Sequence, residues 1–153
     1  MKEFKGSLIG KNRKIAITIS RFNEAISKNL LTGAIDCLTR HGVSNDFIDV
    51  YWTPGSFEIP TILSNLIKKS EYDGFVALGV IIRGETPHFE YIASEVSKGI
   101  ASLSIQSGIP IGFGVITADT VEQANDRAGI KAGNKGWDAA LSILEMVDLI
   151  NNI

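Results

Sequence analysis

Short runs of β-branched and aliphatic residues alternate along the chain with longer segments whose apolar positions recur every three to four residues, a pattern that predicts strands and helices in turn. Residues 15–19 (IAITI) predict a first strand. A helix follows, with Asn23 as its N-cap, one face formed by Ile26, Leu30, Ala34, Cys37 and Leu38, and a stop at Gly42. Residues 47–52 predict a second strand, and Ile59, Ile62, Leu63, Leu66 and Ile67 the apolar stripe of a second helix, where Pro60 fits because it lies in the first turn. Residues 74–82 (GFVALGVII) are apolar on both faces, as a central parallel strand covered from either side must be. Thr86 and Pro87 read as N-cap and first residue of a long helix carrying Tyr91, Ile92, Glu95, Val96, Gly99, Ile100 and Leu103 in register. Residues 109–116 predict the fourth strand. Thr120 with Gln123 predicts a capping box on a short helix ending at Gly129, and Ala139, Ala140, Ile143, Leu144 and Val147 mark a last helix.

This order predicts an α/β fold in which a parallel sheet lies between helical layers, joined by right-handed crossovers. With 153 residues, 44% of them hydrophobic, and no linker, repeat or low-complexity tract, the chain reads as one domain. Residues 99–118 carry no charge over a length that could span a bilayer, but Ser102, Ser104, Gln106 and Ser107 are polar, and Gly108 with Pro110 breaks any helix midway. A helix end, a turn and a buried strand is the expectation there, with no membrane role.

Fifteen Lys and Arg against seventeen Asp and Glu leave a net charge of -2, without the basic field that generic nucleic-acid binding needs. The one cysteine, Cys37, excludes a disulfide within the chain and a Cys-based zinc site. It points to a reducing compartment, and the N-terminal residues contain no secretory apolar run, so a cytoplasmic protein is expected.

In parallel sheets ligands bind beyond the carboxyl ends of the strands, which directs the search to SRFNE, TPGSFEIP, RGETPHFE and TADT. Gly79 and Gly84 have the spacing of a P-loop, but Glu85 stands where Lys is required, and no G-x-G-x-x-G follows a strand. His88-Phe89-Glu90 has the form of half a zinc-deaminase motif whose cysteine half is missing, and His41 reads as a helix cap rather than a second metal ligand. In RGETPHFE a glycine turn opens a helix whose free N–H groups attract anions, with Arg83, Arg127 and Lys135 as cations that could meet a phosphate. His88 in that first turn could exchange a proton near neutral pH, or be a solvated loop histidine. In TPGSFEIP, Gly55 permits a sharp turn, Phe57 could face a flat heterocycle or pack in the core, and Ser56 is better suited to hydrogen bonding than to nucleophilic attack. Phe22 and Phe113 add aromatic surface with the same two readings.

Six blocks, SRFNE, PGSFEIP, GVIIRGETPHFEY, FGVIT, EQANDRAG and AGNKGWDAA, resemble in order and spacing the 6,7-dimethyl-8-ribityllumazine synthase family, over nearly the whole chain. The resemblance implies a flavodoxin-like three-layer sandwich with a four-stranded parallel sheet. It implies a riboflavin-pathway enzyme that condenses 5-amino-6-ribitylamino-uracil with 3,4-dihydroxy-2-butanone 4-phosphate and needs no cofactor. Assembly into pentamers or larger bodies with shared sites is implied too, with the arm of residues 1–13 packing on a neighbour and riboflavin synthase as a partner. The short AGIKAGNKG connection resembles that of members forming icosahedral shells. By matched block, Phe22 would stack on the pyrimidine. Ser56, Phe57 and Glu58 would hold the ring and ribityl chain, and the backbone of Ile81 and Ile82 would add hydrogen bonds. Gly84, Glu85 and Thr86 would receive the phosphate, with the Glu85 carboxylate turned away, and His88 would move the proton. A neighbouring subunit would add Phe113 over the heterocycle, Arg127 on the phosphate and Lys135 at the pyrimidine edge. The rival readings are an archaeal-type riboflavin synthase and a non-catalytic flavin- or lumazine-binding shell protein.

Overall fold

The computed structural model describes residues 1–69 and 71–153. Strands β1 (Ile15–Ser20), β2 (Ile48–Thr53), β3 (Gly74–Ile82) and β4 (Ile111–Ala118) form one sheet in the order β2-β1-β3-β4. Every pairing is parallel, with Ile15 opposite both Ile48 and Gly74, and Phe75 opposite Ile111. This is the flavodoxin-like order, reversing direction between β1 and β3. Helices α1 (Glu24–Arg40) and α5 (Lys135–Asn151) cover one face, and α2 (Ile59–Lys69) and α3 (His88–Ser107) the other, while the short α4 (Val121–Arg127) follows β4.

The two-sided hydrophobicity of β3 has its reason here. Val76, Leu78 and Val80 point into the core built with α1 and α5, and Phe75, Ala77 and Ile81 into the one built with α2 and α3. In the first core α1 and α5 approach so closely that a Cβ on Gly136 would collide with the Leu30 carbonyl. Asn134 fixes that approach. Its side-chain oxygen accepts from the N–H groups of Gly136 (2.8 Å) and Trp137 (3.1 Å), capping α5, while its amide donates to Asn29 O of α1 at 2.9 Å.

Element boundaries differ from the sequence expectation where backbone geometry overrides pattern. Asn23 holds the N-cap position of α1, its carbonyl accepting from Ile26 N and Ser27 N, but its side chain does not cap the helix. It sits in the left-handed region at φ 60°, and its amide turns inward to donate to Val80 O at 3.5 Å. Phe47 closes a 3-10 turn, Asn45–Phe47, instead of opening β2. Pro87 occupies the cap position of α3, so neither Thr86 nor any other side chain caps that helix. β4 starts at Ile111, since Ile109 and Pro110 still belong to the turn that follows Gly108 (φ 70°), and it runs on to Ala118. α4 ends at Arg127, two residues before Gly129. Thr120 Oγ1 does accept from Gln123 N at 3.1 Å, but the Gln123 side-chain oxygen accepts from Asp119 N at 2.9 Å rather than from Thr120 N. The uncharged stretch 99–118 is divided among α3, that turn and β4, and none of the described helices is long and apolar enough to cross a membrane.

The N-terminal arm lies along its own chain, Gly10 N donating to His41 O and Ser7 N to the Asp148 carboxylate, yet it leaves Phe4, Leu8 and Ile9 exposed. His41 is the C-terminal cap of α1, its ring Nδ1 2.7 Å from Cys37 O. Burial pushes the Cys37 thiol up to about 11, with the Asp36 and Asp138 charges adding to it. Cys37 should therefore stay silent toward a disulfide reagent at neutral pH until the protein unfolds. A full equivalent of thiol titrated from native protein would contradict this.

Candidate active site

Because every strand runs the same way, the loops after β1, β2 and β3 emerge at one edge, and the reversal of strand order beside β1 opens a crevice there. A cleft of about 630 Å³ occupies it, within the roughly 300 to 1,000 Å³ usual for small-molecule sites. Phe22 enters from the loop after β1, held by hydrogen bonds that prolong the pairing of β1 with β2: Arg21 N to Thr53 O at 2.8 Å and Phe22 N to Pro54 O at 3.2 Å. Phe22 is 71% exposed and Phe57 58%, values far from core packing, and both line the cleft.

Ser56, Phe57 and Glu58 form a 3-10 turn that leads directly into α2. Thr53 braces this junction, its hydroxyl donating to Gly55 O at 2.8 Å. Ser56 lines the cleft, but its hydroxyl is turned into the floor, buried and without a partner among the described residues. It rests against Gly79 of β3. A Cβ there would stand 2.6 Å from Ser56 Oγ and 3.3 Å from Ile59 Cδ1, so Gly79 is what lets the turn sit this low. Gly79→Ala should cost about 1–3 kcal/mol of stability and lift Phe57 and Glu58 out of place. Urea unfolding together with ligand titration checks it; an unchanged midpoint with unchanged binding would show the turn to be adaptable.

Ile81 and Ile82 form the end of β3 along the cleft, followed by Gly84, Thr86 and His88. Glu85 belongs to the same exposed loop without lining the cleft. His88 is the first residue of α3, exposed, where the free N–H groups of a twenty-residue helix concentrate positive potential. Beyond the sequence expectation for the site, Val80, Phe89, Tyr91, Ile92 and Glu95 also line the cleft. Tyr91, Ile92 and Glu95 fit the register of the helix, yet His88, Tyr91 and Glu95 share one face at helical spacing. A stripe of that polarity, unlike the apolar one of Val96 and Ile100, was the available signal.

The other expected residues lie outside this cleft. Phe113 stands on the edge strand β4, paired with Ala77 and 47% exposed. Lys135 opens α5 and pairs with Asp138 at 3.3 Å. Arg127 ends α4 beside a separate hollow of about 410 Å³, where its guanidinium makes one long hydrogen bond, 3.5 Å to Gln123 O. Phe89 lines both that hollow and the cleft, so its ring is the partition between them. Arg83 packs on this ring and donates to Asp119 and Glu90, hydrogen bonds that raise its pKa above the ordinary arginine value. Its fork is thereby committed to carboxylates, whereas Arg127 keeps its charge without an ion pair among the described residues. Among those residues, no three His, Cys, Asp or Glu side chains are grouped to hold a metal.

The arrangement thus brings to one cleft two exposed aromatic rings, a polar turn, the end of a strand, and a glycine loop with a histidine at a helix N-terminus. The sequence model of one family, described as 6,7-dimethyl-8-ribityllumazine synthase, matches residues 12–151. With nearly the whole chain matched and the sheet in the order expected of it, the protein belongs to the 6,7-dimethyl-8-ribityllumazine synthase family.

Proposed function

We propose that this chain condenses 5-amino-6-ribitylamino-uracil with 3,4-dihydroxy-2-butanone 4-phosphate to form 6,7-dimethyl-8-ribityllumazine, with release of phosphate and water. The observation that carries the reading is the position of two open aromatic rings, Phe22 and Phe57, on the same cleft as the residue 84–88 loop and His88. A flat pyrimidine and a short phosphate ester are the ligands such a cleft suits.

The pyrimidine lies against Phe22, its ribityl chain along Ser56 to Glu58, and its edge on the backbone of Ile81 and Ile82. The ester's phosphate docks at Gly84 to Thr86, where it also meets Arg127 of a neighbouring copy. The primary amine attacks the ketone and water leaves to give an imine. Loss of a carbon-bound proton then expels phosphate, the enol so formed tautomerises, and the second amine closes the ring with loss of water. His88 carries protons in these steps. No strong nucleophile is required, so holding the two substrates in reacting posture, worth roughly 7–11 kcal/mol, outweighs the acid–base contribution.

Phe113 and Lys135 also act from that neighbouring copy. The exposure of Phe113 on the edge strand, and the absence of all three residues from the lining of their own cleft, support a shared site. The protein works in the cytoplasm as a pentamer or a multiple of it, with the arm of residues 1–13 laid on a neighbour. The test is absorbance of the lumazine on mixing the two substrates, with light scattering in the same buffer. Lumazine formed only by the assembled fraction is the expected result. Riboflavin produced from lumazine alone, or tight binding without turnover, would replace this reading with a riboflavin synthase or a binding protein.

A further inference from the structure

Arg83 takes no part in the reaction as proposed, yet its backbone and side chain tie together several elements around the site. Its backbone N–H donates to Ala118 O at 2.9 Å, prolonging the pairing of β3 with β4. Its Nε donates to Asp119 Oδ1 at 2.8 Å, in the turn before α4, and its Nη1 to Glu90 Oε1 at 3.4 Å, in the first turn of α3. The guanidinium lies 4.6 Å from the centre of the Phe89 ring, the wall between the cleft and the Arg127 hollow. Two segments meet on one planar cation, the α3 turn bearing His88 and the segment leading to α4 and Arg127, and the loop 84–87 runs between this anchor and that turn.

We propose that Arg83 is a positioning residue that locks the phosphate loop and His88 of one site in register with the Arg127 that this same chain contributes to the next. This rests on the shared-site reading above. Exposed ion pairs add little to stability, and Arg83 is nearly half exposed, so the lock shows itself in placement of the anion-binding groups rather than in resistance to unfolding. Displacements of about 1 Å at a reacting centre can cost on the order of a hundredfold in rate. Lysine keeps the charge but lacks the planar fork that spans two carboxylates and stacks on a ring.

The test compares Arg83→Ala, Arg83→Lys and Asp119→Asn with wild type, all sized by light scattering. Arg83→Ala should raise KM for the phosphate ester about tenfold, leave KM for the diamine within about twofold, and leave the melting temperature nearly unchanged; Arg83→Lys should recover only part of the loss. In an Arg127→Ala background the same substitution should cost less than about threefold, because the group it positions is gone. Equal losses in both backgrounds, or a fall in melting temperature with both KM values unchanged, would overturn the proposal. Should Arg83→Ala fail to assemble, Asp119→Asn decides, with a KM rise of about threefold for the ester expected and none overturning the lock. Calorimetric titration of inorganic phosphate into the assembled protein needs no turnover: a tenfold weaker affinity in Arg83→Ala supports the lock even if the proposed reaction fails, and an unchanged affinity refutes it.

Discussion

Arg127→Ala lowers kcat/KM for the condensation by roughly 10²- to 10³-fold, the loss usual when a preorganised donor to developing negative charge is removed. His88→Ala lowers it less, by about 10- to 10²-fold, at or below the lower end of the usual acid–base contribution. The ranking follows from what each group does in the proposed reaction. Phosphate is both the anchor of one substrate and the leaving group, so a cation on it acts in binding and again as the carbon–oxygen bond breaks. Arg127 is free for that task, with a long bond to Gln123 O as its one side-chain hydrogen bond among the described residues. His88 sits on the exposed first turn of α3, where water can substitute in part for its proton transfers. Steady-state kinetics of the two variants at matched oligomeric state decides the matter. A dead His88 variant beside a nearly normal Arg127 variant reverses the order and sets proton transfer above positioning.

Phe75→Ala costs about 3–5 kcal/mol of stability, the largest loss expected from one core substitution here. Phe75 is 1% exposed, lies on the central strand facing α2 and α3, and meets the Tyr72 ring edge-on with centroids 5.6 Å apart. Its removal leaves a cavity where collapse is hindered, since its strand is paired with β1 on one side and β4 on the other. Against a typical total of about 5–15 kcal/mol, such a loss is a large fraction. Urea unfolding at fixed protein concentration measures it, with Phe75→Leu as the control that keeps most of the volume. A loss below about 1 kcal/mol for the alanine variant would mean that the α2 and α3 layer closes over the gap.

The order of strands and helices was readable because each element carries its own periodicity, and the two-sided hydrophobicity of residues 74–82 placed that strand inside the sheet. Where the reading missed, a contact remote in sequence decided. The side chain of Asn23 abandons its helix for Val80 O, fifty-seven residues away. Pro87 takes the cap position that Thr86 was expected to hold, and no local pattern distinguishes those two outcomes. At the candidate site, the residues in the loops after β1, β2 and β3 were legible from the rule that ligands gather at strand ends. Tyr91, Ile92 and Glu95 were not, because a helix face that borders a cleft repeats with the same period as one that borders a core. Phe113, Arg127 and Lys135 were legible as aromatic and cationic candidates, but their assignment to a neighbouring subunit entered through family resemblance alone. Nothing in their local sequence says that they lie outside their own chain's cleft, since that depends on how far each element stands from it in the fold.

The closeness of α1 and α5 bears on how the protein comes to be made. Ala139, Ala140, Ile143, Leu144 and Val147 finish a core begun by Ile26, Leu30 and Ala34 more than a hundred residues earlier. At about 5–20 residues per second, a ribosome exposes α1 for several seconds before the helix that covers it emerges. During synthesis that oily stripe is exposed apolar surface of the kind prone to aggregation, and codon changes that slow translation between α1 and α5 should increase the fraction lost to aggregation before any subunit reaches a partner.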